Sequence, residues 1–233
     1  MRNVIAILPG SDPQLKDTCV ILSAHYDHLG MKPASAPGDR IYNGANDNGS
    51  GTVSVIEIAS ALAKLKIHPR RSIVFITFCG EEEGLLGSAY YSRHPIFPLA
   101  KTVANLNLEQ LGRTDAKDGR QVGTLSLTGE NYSDITSYIE AAGQATGVKI
   151  RHTGANSELF FSASDNYPLA KAGVPSETLV VAFEYPDYHA VGDEWNKIDY
   201  ENMAHIDRAV AAATLLLADS VTPPHWKSEW HRL

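Results

Sequence analysis

The sequence predicts an α/β fold, a three-layer α-β-α sandwich around a mixed, mostly parallel sheet. The run Ile73–Phe78 consists only of apolar or β-favouring residues, which is typical of a strand buried on both faces within a parallel sheet. Other strand-like runs alternate along the chain with segments of helical periodicity. The 233 residues, 43% of them hydrophobic, suffice for one large domain with a substantial core. We therefore expect a single domain over residues 1–233.

The first part of the chain predicts two strands, a helix and then the buried strand. Val4–Leu8 and Thr18–Ala24 are apolar runs separated by a turn rich in proline and glycine, so the two strands could pair as a hairpin. A helix is predicted over residues 52–66, and Pro69 ends that segment. The buried strand is predicted over Ser72–Cys79. The apolar stripe of the helix comprises Val55, Ile58, Ala59, Leu62 and Leu65.

Strands and helices continue to alternate in the rest of the chain, where turn and capping residues bound them. The predicted strands are Val103–Glu109, Thr124–Leu127, Val148–His152 and Glu177–Phe183, and the predicted helices are Leu85–His94, Ser133–Ala145, Ser164–Ala172 and Glu201–Ser220. We expect the last helix to bury Val210, Leu215 and Leu216. Residues 222–233 show no clear pattern and are expected to form a tail.

Composition argues against several classes of partner. The net charge of −7 is unfavourable for binding nucleic acid, and no apolar run approaches the roughly 20 residues of a membrane-spanning helix. We interpret Cys19 and Cys79 as buried free thiols, with a disulfide not implied. Residues 1–3 lead directly into a strand-like run with no visible signal peptide, which leaves open a cytoplasmic chain or one trimmed at its N-terminus. The sequence carries no signal for an oligomeric state.

Histidines and carboxylates lie where the predicted strands end. The carboxyl ends of parallel strands meet at one edge of a doubly wound sheet, so we expect these side chains to lie close together. Two histidines and three carboxylates suit two zinc ions that share one bridging carboxylate, with one further carboxylate left as a base. The residues concerned are His25, Asp47, Glu81, Glu82, Glu109 and His189.

Each of these segments also has a simpler explanation when taken alone. Glu81–Glu83 are also typical of a solvated acidic loop that opens a helix. Asn43–Gly51 is also typical of an ordinary helix N-cap. His25 and Asp27 also suit a buried hydrogen-bonded pair, and His28 is more typical of loop structure or of support for a ligand than of a ligand itself. The repetition of the pattern at several strand ends favours a metal site.

Four motifs in order resemble the co-catalytic di-zinc aminopeptidases, the bacterial leucyl-aminopeptidase-like family. Its wider clan includes glutamate carboxypeptidase II and the glutaminyl cyclases. The motifs are Ser-Ala-His-Tyr-Asp-His-Leu-Gly from Ser23, Asn-Gly-Ala-Asn-Asp-Asn-Gly-Ser-Gly from Asn43, Gly-Glu-Glu-Glu-Gly-Leu-Leu-Gly-Ser from Gly80, and Asp-Tyr-His from Asp187, followed by an Asp…Asp-Lys-like spacing near Lys197. The resemblance extends from about Asn3 to Leu217, and it implies a zinc-peptidase type of α-β-α sandwich that forms one catalytic domain.

The resemblance implies a role for each matching residue. One zinc would bind His25, Asp47 and Glu109, and the other would bind Asp47, Glu82 and His189. Glu81 would be the general base, Tyr188 would help to hold the oxyanion, and Asp27 would be the non-ligand carboxylate partner of His25. Glu109 departs from the aspartate that is common in the family, and we still expect it to bind metal. The resemblance also implies a cis peptide bond between Asp47 and Asn48.

The implied activity is that of a zinc-dependent exopeptidase. It would hydrolyse the N-terminal peptide bond of a peptide with a free amine, by means of a hydroxide shared by the two metals and the glutamate base. Three alternatives stay open: a glutaminyl cyclase-like acyltransferase, a carboxypeptidase of the same clan, and an inactive binding module. The family is mostly secreted or periplasmic.

Overall fold

The computed structural model describes residues 1–227, and the last part of the expected tail lies outside this range. A seven-stranded sheet forms its centre, with two short two-stranded hairpins beside it. The mixed α/β architecture around a mostly parallel sheet confirms the predicted fold class.

Residues 1–227 form eleven strands, which we number in order. They are β1 (Val4–Leu8), β2 (Cys19–His25), β3 (Gly30–Met31), β4 (Ile41–Tyr42), β5 (Ser72–Phe78), β6 (Thr102–Glu109), β7 (Asp115–Ala116), β8 (Gly119–Arg120), β9 (Thr124–Leu127), β10 (Lys149–Arg151) and β11 (Ser176–Val180).

Six α-helices connect or cover these strands. They are α1 (Gly51–Leu62), α2 (Leu86–Arg93), α3 (Ile135–Thr146), α4 (Ala155–Leu159), α5 (Asn166–Lys171) and α6 (Tyr200–Asp219). Single turns of 3₁₀-helix lie at Leu99–Lys101 and Trp195–Lys197. An irregular wide turn at Ala45–Ser50 leads into α1, and Asp47 and Asn48 within it have non-helical backbone angles.

Four parallel strands form the middle of the sheet, whose order is β1-β5-β2-β6-β11-β9-β10. β5, β2, β6 and β11 all run in the same direction, so their carboxyl ends share one edge. β1 pairs antiparallel with β5, not with β2. The predicted hairpin of the first two strands is therefore wrong, because the better-buried β5 takes the position between them.

Alternation along the strands sends side chains to two separate cores. Val20 and Leu22 of β2 face the larger core, which also contains apolar residues of α1, α3 and α6. Cys19 and Ile21 face the other side of the sheet, where α2 and α5 supply Tyr91 and Leu169 to a smaller core. This period of two explains how one strand supports both helical layers.

Several local predictions are corrected by the structure. α1 ends at Leu62, so Leu65 lies beyond it and is exposed. On α6, Val210 is buried as predicted, but Leu216 is exposed and Leu217 is buried in its place. β11 ends at Val180, which leaves Phe183 in the following loop.

The cysteines are both buried and free, as predicted, although Cys79 lies just after β5 rather than in it. Within residues 1–227, no helix has the length and apolar character needed to cross a membrane.

Glu177 is a residue of β11 whose fully buried carboxyl group lies against the first turn of α3. It accepts a hydrogen bond from the Ser133 hydroxyl at 2.7 Å and lies 3.2 Å from the Thr136 hydroxyl. Because the Thr136 hydroxyl donates its hydrogen to the Glu130 carbonyl, its oxygen is able to accept a hydrogen bond from a protonated Glu177. Burial raises the pKa of Glu177 to about 8, so the neutral acid is the form that the fold prefers.

We predict that Glu177→Gln increases stability at high pH. The folded-state pKa of Glu177 lies above its ordinary value of 4.5, so the folded chain holds an extra proton between these pH values. The stability of the wild type should therefore fall as pH rises, at most by about 1.4 kcal/mol per pH unit. Glutamine keeps both hydrogen bonds of the neutral acid and has no proton to lose.

Urea unfolding at pH 5, 7 and 9 would measure this difference. The exposed Asp17→Asn variant serves as the control, and its difference from the wild type should not follow the same trend. A gap between Glu177→Gln and the wild type that stays constant across this range would contradict the prediction.

Candidate metal centre

A cavity of about 310 Å³ opens at the edge where the parallel strands end. His25 is the last residue of β2, Glu109 is the last residue of β6, and Glu81 and Glu82 follow β5. Asp47 comes from the turn before α1, and Tyr188 and His189 come from the loop after β11. The cavity is lined by all the predicted metal ligands together with Glu81 and Tyr188.

Asp47 lies between the two predicted histidine ligands. His25 Nε2 is 3.4 Å from Asp47 Oδ1, and His189 Nε2 is 3.1 Å from Asp47 Oδ2. Each carboxylate oxygen thus faces a different imidazole, which is the arrangement expected of a bridging ligand. The peptide bond between Asp47 and Asn48 is cis, as predicted.

Two further carboxylates complete the two halves of the site. Glu109 Oε2 lies 3.3 Å from His25 Nε2, and Glu82 Oε2 lies 3.5 Å from His189 Nε2. β6 is paired with β11 up to Glu109 itself, and the Glu109 side chain reaches His25 from that strand end. Its binding to metal stays a prediction.

These donor spacings fit zinc. Zinc binds nitrogen and oxygen ligands at about 2.0–2.2 Å, so two ligands at the corners of a tetrahedron lie about 3.3 Å apart. The distances in both halves, from 3.1 to 3.5 Å, agree with this value. Donor atoms in the groups His25–Glu81–Glu109 and His28–Asp47–Glu82 also lie within 4.8 Å of one another. Imidazole and carboxylate are both ordinary zinc ligands.

The charges of the site favour a cation. Burial acts to raise the pKa of the Asp47 carboxyl, but hydrogen bonds from His189 and His25 outweigh it and hold that pKa below its usual range. Burial and the negative charge of Glu109 raise the pKa of Glu81 to about 9. The cavity thus holds more carboxylates than it balances with histidines, and divalent metals stabilise such clusters.

Asp27 does not line the cavity, and it contacts the loop that follows β5. Its two carboxylate oxygens accept hydrogen bonds from the backbone amides of Glu81 and Glu82 at 3.1 and 3.3 Å. One of these oxygens also lies 3.8 Å from His25 Nδ1, whose nearer neighbour is the Asp27 carbonyl oxygen at 3.1 Å. Asp27 therefore orients the two glutamates as well as the histidine.

Tyr188 stacks on the imidazole of His189, with the ring centroids 4.0 Å apart. Burial and the surrounding carboxylates raise the pKa of its hydroxyl, so the group remains a hydrogen-bond donor at neutral pH. Phe160 and Phe183 stack on each other at 5.0 Å along another wall of the cavity.

The sequence motifs predict no role for Asp193, which lies beneath the site. This fully buried carboxylate accepts hydrogen bonds from the backbone amides of Asn46 and Asp47 and from the Tyr185 hydroxyl, at 2.9 to 3.1 Å. It therefore joins the turn that carries Asp47 to the loop that carries His189. The aspartate that follows Asp-Tyr-His in the fourth motif is the sequence signal that points to this position.

Ser164, Asp165 and Gln110 were also missed. The Ser164 hydroxyl donates to Glu109 Oε1 at 2.5 Å and so leaves Oε2 toward His25. Asp165 is completely buried beside Ser88, whose hydroxyl bonds to it, and burial raises its pKa to about 7. Gln110 adopts a left-handed backbone conformation directly after Glu109. Asn166 is not among the residues that line the cavity.

Comparison with known proteins identifies relatives along nearly the whole chain. The sequence profile described as "Peptidase family M28" matches residues 3–214. "Vacuolar membrane protease" of Phaeosphaeria nodorum is 26% identical over 95% of this chain and 21% of its own length. "Aminopeptidase YwaD" of Bacillus subtilis is 28% identical over 91% of this chain and 44% of its own length.

A solved structure shows the same fold. The zinc aminopeptidase BSAP from Bacillus subtilis superposes with a TM-score of 0.71 at 27% identity, over 91% of this chain and 48% of that protein. The chain thus spans less than half the length of each of these three proteins.

We predict that Asp193→Asn weakens both the fold and the metal site. The amide nitrogen of asparagine cannot accept a hydrogen bond, so at least one buried donor loses its partner. We expect a loss of about 2–4 kcal/mol in the free energy of unfolding and roughly 10–100-fold weaker zinc binding. Urea unfolding and zinc competition with a chromophoric chelator would measure the two effects.

Tyr185→Phe is the matched control, because it removes one donor to Asp193 and leaves both backbone hydrogen bonds in place. Its losses should be smaller on both measurements. Zinc affinity that is unchanged in Asp193→Asn would show that this carboxylate does not position Asp47.

Proposed function

The chain belongs to peptidase family M28, and from that premise we propose that it is an aminopeptidase that uses two zinc ions. The observation that carries the proposal is the position of Asp47, whose two oxygens face His25 and His189 separately. A carboxylate in this position is able to bridge two ions. Glu109 would complete the site at His25, and Glu82 would complete the site at His189.

Bound zinc would supply Lewis acidity and would lower the pKa of a water molecule toward neutrality. The protein's own contribution begins with its fixed ligands. Those ligands come from three strand ends and two loops, so their geometry is set by the sheet and does not have to form when substrate binds.

Glu81 is the proposed general base. Its carboxylate lines the cavity, and its Oε2 is 3.9 Å from His25 Nε2, farther than the oxygens of Asp47 and Glu109. It is therefore the carboxylate of this half that is free to move a proton. Bound zinc would oppose the raised pKa of Glu81 and favour its ionised form, so that Glu81 would accept a proton from the attacking water and then deliver it to the amine that leaves.

Tyr188 is the proposed oxyanion donor. Its hydroxyl remains protonated at neutral pH because of its raised pKa, and its ring is held against His189. A hydrogen bond that strengthens as charge develops on the scissile carbonyl would contribute a few kcal/mol, roughly 3, to lowering the barrier.

The carboxylates of the cavity support a preference for a free N-terminus. A free α-amine would find hydrogen-bond acceptors among the carboxylates that line the cavity, which an N-blocked substrate could use less well. A peptide with a free N-terminal amine is accordingly the proposed substrate. A secreted or periplasmic location stays a prediction of the family resemblance.

Metal content per chain, measured together with hydrolysis of aminoacyl-arylamides and N-blocked controls, tests this proposal. We expect close to two zinc ions per chain and cleavage only of substrates with a free amine. Cleavage of C-terminal residues would favour a carboxypeptidase, and cyclisation of N-terminal glutamine with one zinc would favour a cyclase. A chain that binds zinc and turns over none of these substrates would be a binding module.

We predict that Glu81→Gln binds zinc as the wild type does but loses nearly all turnover. Glutamine keeps the size of the side chain and cannot accept the proton, and loss of a general base costs roughly 10²–10⁴-fold in rate. The measurements are kcat on the best arylamide and zinc per chain. Glu83→Gln is the control, because Glu83 is exposed and is absent from the cavity lining. Full activity in Glu81→Gln would refute the assignment of the base.

His189→Ala should reduce the zinc content from about two ions to about one, because one half of the site loses its only predicted histidine. Atomic absorption after dialysis against a weak chelator would measure the content. His94→Ala is the control, since His94 is exposed and stacks on Tyr90 away from the cavity. Unchanged zinc stoichiometry in His189→Ala would remove His189 from the ligand set.

A further inference from the structure

In the described structure, the contact between His28 and Glu82 is shorter than the contacts that Asp47 and Glu82 make with His189. His28 Nδ1 lies 2.7 Å from Glu82 Oε1, and the two side chains are only 7% and 8% exposed. The Nε2 atom of His28 is buried and has no hydrogen-bond partner among residues 1–227. The contact with Glu82 is therefore the one hydrogen bond that the described chain gives this ring.

The length of this contact shows whether His28 and Glu82 form a hydrogen bond or are arranged as two ligands of one metal ion. Two tetrahedral zinc ligands lie about 3.3 Å apart, as the pairs that involve Asp47 do. At 2.7 Å, His28 Nδ1 and Glu82 Oε1 are too close for that arrangement and have the length of a charge-assisted hydrogen bond. His28 Nδ1 is accordingly the donor to Glu82.

The His28 ring is fixed by its surroundings. A Cβ atom on Gly44 would lie 2.6 Å from His28 Cγ, so the ring occupies space that only glycine leaves open. The rings of Tyr42 and His189 contact it edge to face, with centroids 6.4 and 5.7 Å away. A donor held in this way fixes the rotation of the carboxylate that it binds.

We propose that His28 is a positioning residue for the metal ligand Glu82. The inference rests on the proposed function only in that it takes Glu82 to be a ligand of the second ion. His28 occupies Oε1, and Oε2 is thereby directed toward His189 Nε2 at 3.5 Å. Asp27 fixes the backbone amide of the same residue, so Glu82 is held at both its ends.

This role is specific to one half of the site. His25, Asp47 and Glu109 make no hydrogen bond with His28 in the described structure. Loss of the His28 donor should therefore free the Glu82 carboxylate to rotate and weaken the second ion alone. The first ion serves as an internal measure of whether the fold is intact.

His28→Leu and His28→Asn test the proposal as a pair. Leucine fills the space of the ring and removes the donor, whereas asparagine places an amide nitrogen close to the position of Nδ1. Zinc affinity is measured by competition with a chromophoric chelator, and the absorption of bound cobalt reports the coordination. We expect His28→Leu to weaken one of the two ions by roughly 10–100-fold and to change its cobalt spectrum. His28→Asn should recover most of the affinity.

The Glu82→Ala background makes the test specific. His28→Leu should have no further effect on metal affinity in a chain that lacks the Glu82 carboxylate, because coupled residues are not additive. His94→Leu is the matched control for replacing a histidine, and it should bind both ions like the wild type.

Equal affinity of His28→Leu and wild type for both ions would overturn the proposal. So would an equal loss in His28→Leu and His28→Asn, which would indicate a general packing role. The proposed function fails by a different result, namely two bound zinc ions without cleavage of free-amine substrates. In that case the metal affinities still decide the role of His28.

Discussion

The buried Asp193 carboxylate is the interaction on which the geometry of the site depends. It accepts from two backbone amides of the turn before α1 and from the Tyr185 hydroxyl. Asp47 lies in that turn and Asp193 lies in the loop after β11, 146 residues later in the sequence. Each segment also has hydrogen bonds of its own, such as Ser50 Oγ to the Asn46 carbonyl in the turn and the Ala190 amide to the Asp187 carbonyl in the loop. Asp193 joins the two segments and so sets how close Asp47 comes to His189.

The loop after β11 is also held from outside the cavity. Arg113 and Lys197 each donate to Asp187 Oδ2 at 2.9 Å, and the Arg113 guanidinium lies over the Tyr185 ring. His189 has a backbone φ of 53°, a conformation that residues other than glycine seldom adopt. Residues in such conformations persist where their neighbours over-determine them. The ion pairs before His189 and the Asp193 anchor after it supply that constraint.

The sequence allowed most of the elements to be predicted, and it indicated which residues would meet. His25 and Glu109 end buried strands, so the rule that parallel strands end at one edge was enough to bring them together. The order of the strands was harder to predict, because the apolar pattern of β1 is compatible with pairing to either β2 or β5. Leu216 was misassigned because its neighbour Leu217 is equally apolar and one residue turns a helix by 100°.

The supporting residues could not be predicted, because their partners are distant in sequence and each is an ordinary polar residue. Ser164 lies 55 residues from Glu109, and His28 lies 54 residues from Glu82. Only the tertiary structure shows that each donor engages one oxygen of a glutamate and leaves the other oxygen toward a histidine. This arrangement repeats in the two halves of the site, with a serine in one and a histidine in the other.

The repetition points to a common physical requirement. A buried carboxylate left free to rotate would present either oxygen, or both, to a metal, and it would also lack compensation for its lost hydration. A hydrogen-bond donor on the outer oxygen satisfies both needs, since it lowers the cost of burial and selects the inner oxygen as ligand. The same hydrogen bond therefore contributes to the stability of this edge of the sheet and to the geometry of the proposed zinc site. Because one contact has both effects, we expect metal affinity and local stability to change together at these positions.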